Sequence, residues 1–356
     1  MMNNSINSIC IVRLSALGDV LMMVPLIRTL QKYLPEAKLT WIISNPAYEL
    51  VKSIDGVEFI VIDKPNNIKD YLEFNRQMRN RKFDVLLAVQ SSFRANLLYG
   101  FIRAKRKIGY DKIRAKDGHK WFVNEKITSG RDHTLDGFLR FAKSCGVEKT
   151  EIHWDLKISA EDLQFAKNIL PDKGERPLIL INSAASKPER SWTVEGYVAI
   201  IKYAVEKFSA NVVLIGGPNS HDLQLSEAIT NKISVLSLVG KTKLTQLLAI
   251  ISLGDLLICP DTGPSHMGVA VGTPVLALHA VTSSNVSGPY TFRDLSVDCY
   301  DKAVEVILNK TIETNVWGTH AHGMSTMQLV TIEMVIDKLK QFLTLDFMTF
   351  SKSTQT

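Results

Sequence analysis

The sequence predicts an α/β protein made of two open, parallel-sheet domains. Three observations carry that prediction. Short β-rich runs alternate with helical periods through the first half of the chain, the pattern of a parallel sheet covered on both faces. The same rhythm restarts near Pro177. The length of 356 residues exceeds what one hydrophobic core usually serves, so two domains are the default expectation.

Taken in order, residues 8–14 (SICIVRL) read as a buried strand, followed by a helix from Asp19 (DVLMMVPLIRTLQKYL) whose apolar residues recur at three and four. KLTWIIS and EFIVID are the next strands, IKDYLEFNRQMRN a helix, FDVLLAV a strand and RANLLYGFI a helix. Residues 111–131 have weak periodicity and read as loop-rich. In the second half, PLILIN is a continuous apolar strand, 193–208 a helix, and NVVLIGG a strand ending in a glycine turn. Helices at 221–232 and 244–252 follow, then the strand DLLIC, a short helix at 265–271 and the strand TPVLALH. Residues 332–342 read as a helix with Thr331 as its N-cap. The expected division is 1–160, 170–330, and a C-terminal helix with a frayed tail over 331–356, the turn residues PDKGERP marking the domain boundary.

Composition excludes several classes. With 46% hydrophobic and 22% charged residues the chain is an ordinary globular protein rather than a disordered one. No apolar stretch approaches the ~18 residues of a membrane-spanning helix. The start, MMNNSINSIC, lacks the basic n-region of a cleaved signal. Cys10, Cys145, Cys259 and Cys299 lie far apart with no C-x-x-C pair, which fits a reduced, cytoplasmic protein without a disulfide or zinc framework. The net charge of +6 is concentrated: residues 94–116 hold eight Lys/Arg against the single acid Asp111, a segment charge of +7 that leaves the remainder at −1. Such a run is a solvated face or a site for a phosphorylated or anionic-membrane partner. Nucleic acid as partner has no motif in its support.

Open parallel sheets bind ligands at the carboxyl ends of their strands, and the cleft between two such domains is the default site. The informative motifs are therefore those where a strand hands over to a helix. Arg13-Leu-Ser-Ala-Leu-Gly18-Asp19 follows the first strand; Gly18 permits a tight turn and Asp19 falls at a helix N-terminus. Asp19 is then an N-cap, which spacing alone favours, or a carboxylate general base. Asp261-Thr262-Gly263-Pro264-Ser265-His266 follows DLLIC, with Pro264 where the first helical turn begins. Free N–H groups there, with the Thr262 and Ser265 hydroxyls, make an anion site in which His266 faces a diphosphate; a well-capped helix with a core-facing histidine fits equally. The loop 182–192 is rich in small polar residues, including Ser183, and its Lys187 and Arg190 are suited to neutralising phosphate. An ordinary exposed loop is the alternative. There is no G-x-G-x-x-G, no intact P-loop and no D-x-D carboxylate clamp, and His320-Ala-His322 lacks the companions of a metal site.

Together these segments resemble one family. RLSALGD, FDVLLAVQSSFRANLL, RKIGYD, HTLDGFLRFAKSCGV, NVVLIGG, GKTKLTQLLAIISLGDLLICPDTGPSHM and SGPY occur in the order of the lipopolysaccharide heptosyltransferases, glycosyltransferase family 9, of GT-B architecture. The resemblance is greatest to the heptosyltransferase I enzymes. It implies two Rossmann-like domains with parallel sheets facing a central cleft. It implies inverting transfer of L-glycero-D-manno-heptose from ADP-heptose to a Kdo residue of the inner core, on a Kdo–lipid A acceptor. No cofactor or essential metal is implied; the enzyme would be cytoplasmic and peripheral at the inner membrane. Asp19 matches the family's catalytic aspartate, which favours the base over the cap. Arg190, Asp261, Thr262, Gly263 and His266 match donor-binding positions, and Ser183, Lys187 and Ser265 join them by proximity. The basic run, represented by Arg94, Lys105 and Arg106, is the expected acceptor surface. Gly268 stands where the family usually has Ala, and the loop 279–290 (HAVTSSNVSGPY) departs from the usual G-P-T-x-P-x-x-x-G-P. Rival readings are a second heptosyltransferase acting on the first heptose, a GT-B nucleotide-sugar epimerase, and a non-catalytic nucleotide-binding module.

Overall fold

A computed structural model describes residues 6–172 and 174–346; the tail expected to fray lies outside them. The chain divides into two compact units, the first ending at Lys157 and the second beginning at Ile158. The first contains β1 (Ser8–Val12), α1 (Leu17–Tyr33), β2 (Lys38–Ile43), α2 (Asn45–Val51), β3 (Val57–Val61), α3 (Ile68–Met78), β4 (Phe83–Leu87), α4 (Phe93–Phe101), β5 (Ala104–Gly109), β6 (Glu125–Lys126) and α5 (Thr134–Ser144). Its sheet has the order β3-β2-β1-β4-β5-β6, every pair parallel. The second contains α6 (Ala160–Ile169), β7 (Leu178–Asn182), α7 (Val194–Phe208), β8 (Asn211–Ile215), α8 (Ser220–Thr230), β9 (Leu236–Ser237), α9 (Leu244–Leu253), β10 (Leu256–Pro260), α10 (Gly263–Val271), β11 (Val275–His279), α11 (Ser284–Ser287), β12 (Val297–Asp298), α12 (Tyr300–Leu308) and α13 (Ile332–Gln341). Its order, β12-β11-β10-β7-β8-β9, repeats that of the first sheet, again all parallel. In each sheet the chain steps outward three strands one way, returns to the middle and steps outward the other way. The crevices where direction reverses lie between β1 and β4 and between β7 and β10, where doubly wound sheets bind ligands.

The central strands are buried on both faces; every residue of β7, β10 and β11 is inside. β5 differs. Its sequence AKRKIG is charged because its outer half runs along solvent, and for that reason its strand character is invisible to hydropathy. The N-cap expected at α13 is present, the Thr331 hydroxyl accepting from the Met334 N–H, and Thr193, read as the first helical residue of α7, caps that helix by accepting from the Gly196 N–H. α13 is not a separate appendage: Val335, Leu339 and the following Phe342 join Ile179, Leu276 and Tyr197 in the core of the second unit.

α1 carries Pro25 in its interior. Pro25 has no N–H, so the Leu21 carbonyl loses its helical donor. The indole N–H of Trp154 donates to that carbonyl at 2.8 Å. Arg28 donates to the Trp154 and Asp155 carbonyls, which ties the end of the first unit onto α1.

The departure at Gly268 has a packing cause. A Cβ placed there would lie 2.5 Å from Val275 Cγ2 and 3.3 Å from Leu257 Cδ2, so α10 sits too close to β11 and β10 for alanine. Gly268→Ala is expected to destabilise the second unit by about 1–3 kcal/mol through overpacking, despite alanine's better helix propensity; urea unfolding of the variant checks this.

Candidate functional site

In the first unit, Asp19 lies three residues into α1, after a non-helical N-cap at Ala16. The sequence reading placed a glycine-dependent turn just before it. Instead Gly18 is the second helical residue, and it is absent from the glycines with positive φ. The Asp19 carboxylate accepts from the Ala16 N–H at 3.2 Å and forms an ion pair with Arg13. Both contacts fall on Oδ2, which leaves Oδ1 for another donor. Arg13 is held in turn: it donates to the Val89 carbonyl at 2.7 Å and its guanidinium stands 5.5 Å from the Phe138 ring centre. Gln90, just past β4, accepts from the Leu14 N–H at 2.8 Å. Arg13 extends from β1 and Val89 from β4, so Asp19 occupies the switch point of the first sheet. Asp19 is thus both a first-turn acid of the helix and a carboxylate with one open oxygen. Gln90, Tyr110 and Phe138 were not singled out by sequence reasoning, because their positions become informative only once β1 and β4 are neighbours.

The basic segment does not form one surface. Lys105 pairs with Asp84 at 2.7 Å and Arg106 is bidentate to Glu125 at 2.6 and 2.7 Å. Both sit in the first half of β5, and Asp84 also binds the N–H groups of Asn7 and Ser8 at the start of β1. That is the amino end of the sheet, opposite to Asp19. Arg114 is buried against Asp111 and Asp132. The acceptor expectation is therefore withdrawn for Lys105 and Arg106: strand geometry carries them away, and their charge is matched. Arg94, in the first turn of α4, lies at the carboxyl end.

His119 closes the loop after β5. It takes the Tyr110 N–H on Nε2 at 3.1 Å and meets Asn96 Oδ1 through Nδ1 at 2.8 Å, which is the neutral ring donating from Nδ1. Burial, with a smaller contribution from Lys126, pushes its pKa down to about 4. The folded value lies below the unfolded one, so only the unfolded state takes up a proton between them. Stability is therefore complete above the unfolded pKa of about 6.5 and is lost as pH falls toward 4, by up to roughly 3 kcal/mol. Urea midpoints across that range should show this slope, and His119→Gln should flatten it.

In the second unit, the loop after β7 turns through Pro188–Arg190. The Ser191 hydroxyl accepts from the Ala185 N–H at 2.9 Å and meets His221 Nε2 at 2.9 Å, while Tyr197 donates to the Ser183 carbonyl at 3.0 Å. The loop thus holds Arg190 over the end of β10, where Arg190 contacts Asp261 at 3.4 Å and also bonds Ser186. The Arg190 Nε is buried without a partner. Thr262 is the N-cap of α10 with its side chain uncommitted to the cap, Gly263 and Pro264 are the first helical residues, and the Ser265 hydroxyl donates to the Thr262 carbonyl at 2.7 Å. His266 is buried one turn in. Burial raises the Asp261 pKa, but His279, His266, a bond from Thr282 and Arg190 outweigh it and hold the carboxyl below its ordinary range. Ser287 also donates to Asp261 Oδ2 at 3.3 Å. Lys187 is exposed beside this cluster. The site therefore unites Ser183, Arg190, Asp261, Thr262, Gly263, Ser265 and His266 at the second switch point. Sequence reasoning missed His279, Thr282 and Ser287, which come from the atypical loop 279–290. His322 meets Glu189 at 3.1 Å. Among the described residues no group of three or more His, Cys, Asp or Glu is placed to hold a metal ion.

The family model for glycosyltransferase family 9 (heptosyltransferase) matches residues 71–305. The chain is 35% identical over 337 residues to the lipopolysaccharide core heptosyltransferase OpsX of Haemophilus influenzae, covering 94% of this chain and 96% of that one. It is 20% identical to lipopolysaccharide heptosyltransferase 1 of Escherichia coli K12, covering 79% and 90%. Among solved structures, a glycosyl transferase family 9 protein of Veillonella parvula superposes with a TM-score of 0.76 at 21% identity, covering 95% and 97%. E. coli heptosyltransferase WaaC with ADP superposes with 0.69 at 18%, covering 94% and 99%. The chain belongs to glycosyltransferase family 9, and its two Rossmann-type units are those of the GT-B class. Within that family it is an enzyme, a heptosyltransferase of the lipopolysaccharide core.

Proposed function

We propose that this enzyme transfers L-glycero-D-manno-heptose, with inversion, from ADP-heptose to a Kdo hydroxyl of a membrane glycolipid acceptor. The observation that carries the reading is the pair of switch-point sites: a carboxylate with an open oxygen in the first sheet, and in the second a guanidinium paired with Asp261, just ahead of the start of α10. E. coli WaaC has been solved with ADP and with ADP-2-deoxy-2-fluoro heptose, which supports ADP-heptose as donor.

Asp19 Oδ1 takes the proton of the acceptor hydroxyl, whose oxygen forms a bond to the anomeric carbon as the bond from that carbon to the ADP oxygen breaks. Arg13 fixes the carboxylate so that Oδ1, not Oδ2, faces the substrate. The charge that develops on the departing diphosphate falls on Arg190 and on the N–H group of Gly263, with Thr262 and His266 alongside. Asp261 orients Arg190. Transfer needs no metal in this reading, since Arg190 and the α10 N-terminus supply the neutralising charge.

The test is release of ADP from ADP-heptose with no acceptor, with Kdo–lipid A, and with an acceptor already carrying one heptose, each with and without EDTA. Turnover on Kdo–lipid A alone, insensitive to EDTA, is expected. Turnover only on the heptosylated acceptor would move the enzyme to the second step. Turnover without acceptor would indicate an epimerase-like reaction, and a strict metal requirement would overturn the metal-free account.

A further inference from the structure

The loop between β5 and β6 surrounds a cavity of about 350 Å³ whose rim carries Lys112, Lys116, Lys120 and Lys126. None of these four ammonium groups has an ion-pair partner among the described residues, in contrast to Lys105 and Arg106 on the same segment. Of the two acids in the lining, Asp111 is neutralised by Arg114, and Asp117 accepts the Phe93 N–H at the start of α4 at 3.1 Å. Two large aromatic side chains stand out of this rim into solvent. Trp121 is 78% exposed and Phe93 63% exposed. Trp121 belongs to the same loop, its indole against Gly118 and 5.8 Å from Lys120 Nζ. Lysines interleaved with exposed aromatics form the composition of a surface that sits at an anionic lipid interface, the ring entering the headgroup layer and the ammonium groups meeting lipid phosphate.

The position bears on the reaction. Tyr110 lines the cavity, and its hydroxyl donates at 3.0 Å to the Val89 carbonyl, the same oxygen that holds Arg13 at 2.7 Å. One residue thus separates the lysine rim from the Asp19 site.

We propose that the 110–126 loop, with Phe93, is a docking surface for an anionic lipid bilayer, the lysine-rimmed cavity seating a lipid phosphate and Trp121 anchoring in the interface. The choice of lipid over other polyanions rests on the glycolipid acceptor proposed above; binding itself is independent of sugar transfer. The test uses full-length protein and vesicles without acceptor or donor: phosphatidylcholine alone, or with one third phosphatidylglycerol, in a sedimentation assay at low and high salt. Wild type should partition onto the anionic vesicles and leave them at high salt. Changing the four lysines together to Gln should lower partitioning at least about tenfold, since each lysine near an anionic surface adds to the attraction. Trp121→Ser should also weaken it, and the emission blue shift seen on binding should vanish in Trp121→Phe. Lys105→Gln should behave as wild type.

Equal binding to neutral and anionic vesicles, or wild-type partitioning by the four-lysine variant, would overturn the proposal. So would tighter binding to single-stranded RNA than to vesicles at equal phosphate, or protection of the four lysines from acetylation by inorganic phosphate in a protein that ignores vesicles. Vesicle binding without transfer on any acceptor would retain this surface and reject the function proposed above.

Discussion

Asp19→Ala is expected to lower turnover by roughly 10²–10⁴ while leaving the Michaelis constant for ADP-heptose near its wild-type value, because a general base acts on the acceptor hydroxyl and not on donor binding. The substitution also removes the first-turn contact to the Ala16 N–H, which stabilises α1 by about 1 kcal/mol at most. Asp19→Asn keeps that side chain's shape and should lose turnover to a similar degree. Steady-state kinetics beside thermal melts separate the two roles: normal turnover with a lowered melting temperature would leave Asp19 only a helix-terminal acid. Arg13→Lys should fall between, since an ammonium cannot at once reach Asp19 and Val89 in the forked geometry seen here.

The second large effect is expected at Arg190. Arg190→Ala should weaken ADP binding roughly ten- to hundredfold, the loss of a charge-assisted contact worth about 1.5–3 kcal/mol, as read by calorimetry. The fold should survive at neutral pH, because Asp261 keeps His279, His266, Thr282 and Ser287 around it. The Asp261 carboxyl is depressed in the folded state, so its contribution to stability is present above the unfolded pKa near 3.8 and disappears only as pH falls below that. Assays near neutrality therefore report donor binding and not acid unfolding. Unchanged ADP affinity would remove Arg190 from the diphosphate site.

Much of this was legible in the sequence, for definite reasons. β1, β4, β7, β10 and β11 are apolar on both faces and announce themselves. The residues at their ends, Asp19 and Asp261–His266, could be singled out because a doubly wound sheet places its ligands there. Charge defeated the reading where strand and surface coincide. β5 was hidden by AKRKIG, and counting its lysines and arginines as one basic patch ignored the alternation of side chains along a strand. Only the pairing of β5 with β4 and β6 shows that Asp84 and Glu125 answer Lys105 and Arg106. α2 was hidden by its Asn-Pro start, and the partners of Asp261 by an untypical loop whose residues meet it only after β10 and β11 lie side by side.

The tryptophan that mends the proline break in α1 also sets where this chain can be cut. A chimera that grafts this first unit onto the second unit of another family member would be joined in the stretch between the units. If the junction falls before Trp154, the Leu21 carbonyl is left buried without a donor and Arg28 without its two carbonyls, in the helix that bears Asp19. A junction after Lys157 preserves all of them. The working end of the first module in a recombinant design is thus fixed by one indole, about 130 residues downstream of the carbonyl it serves.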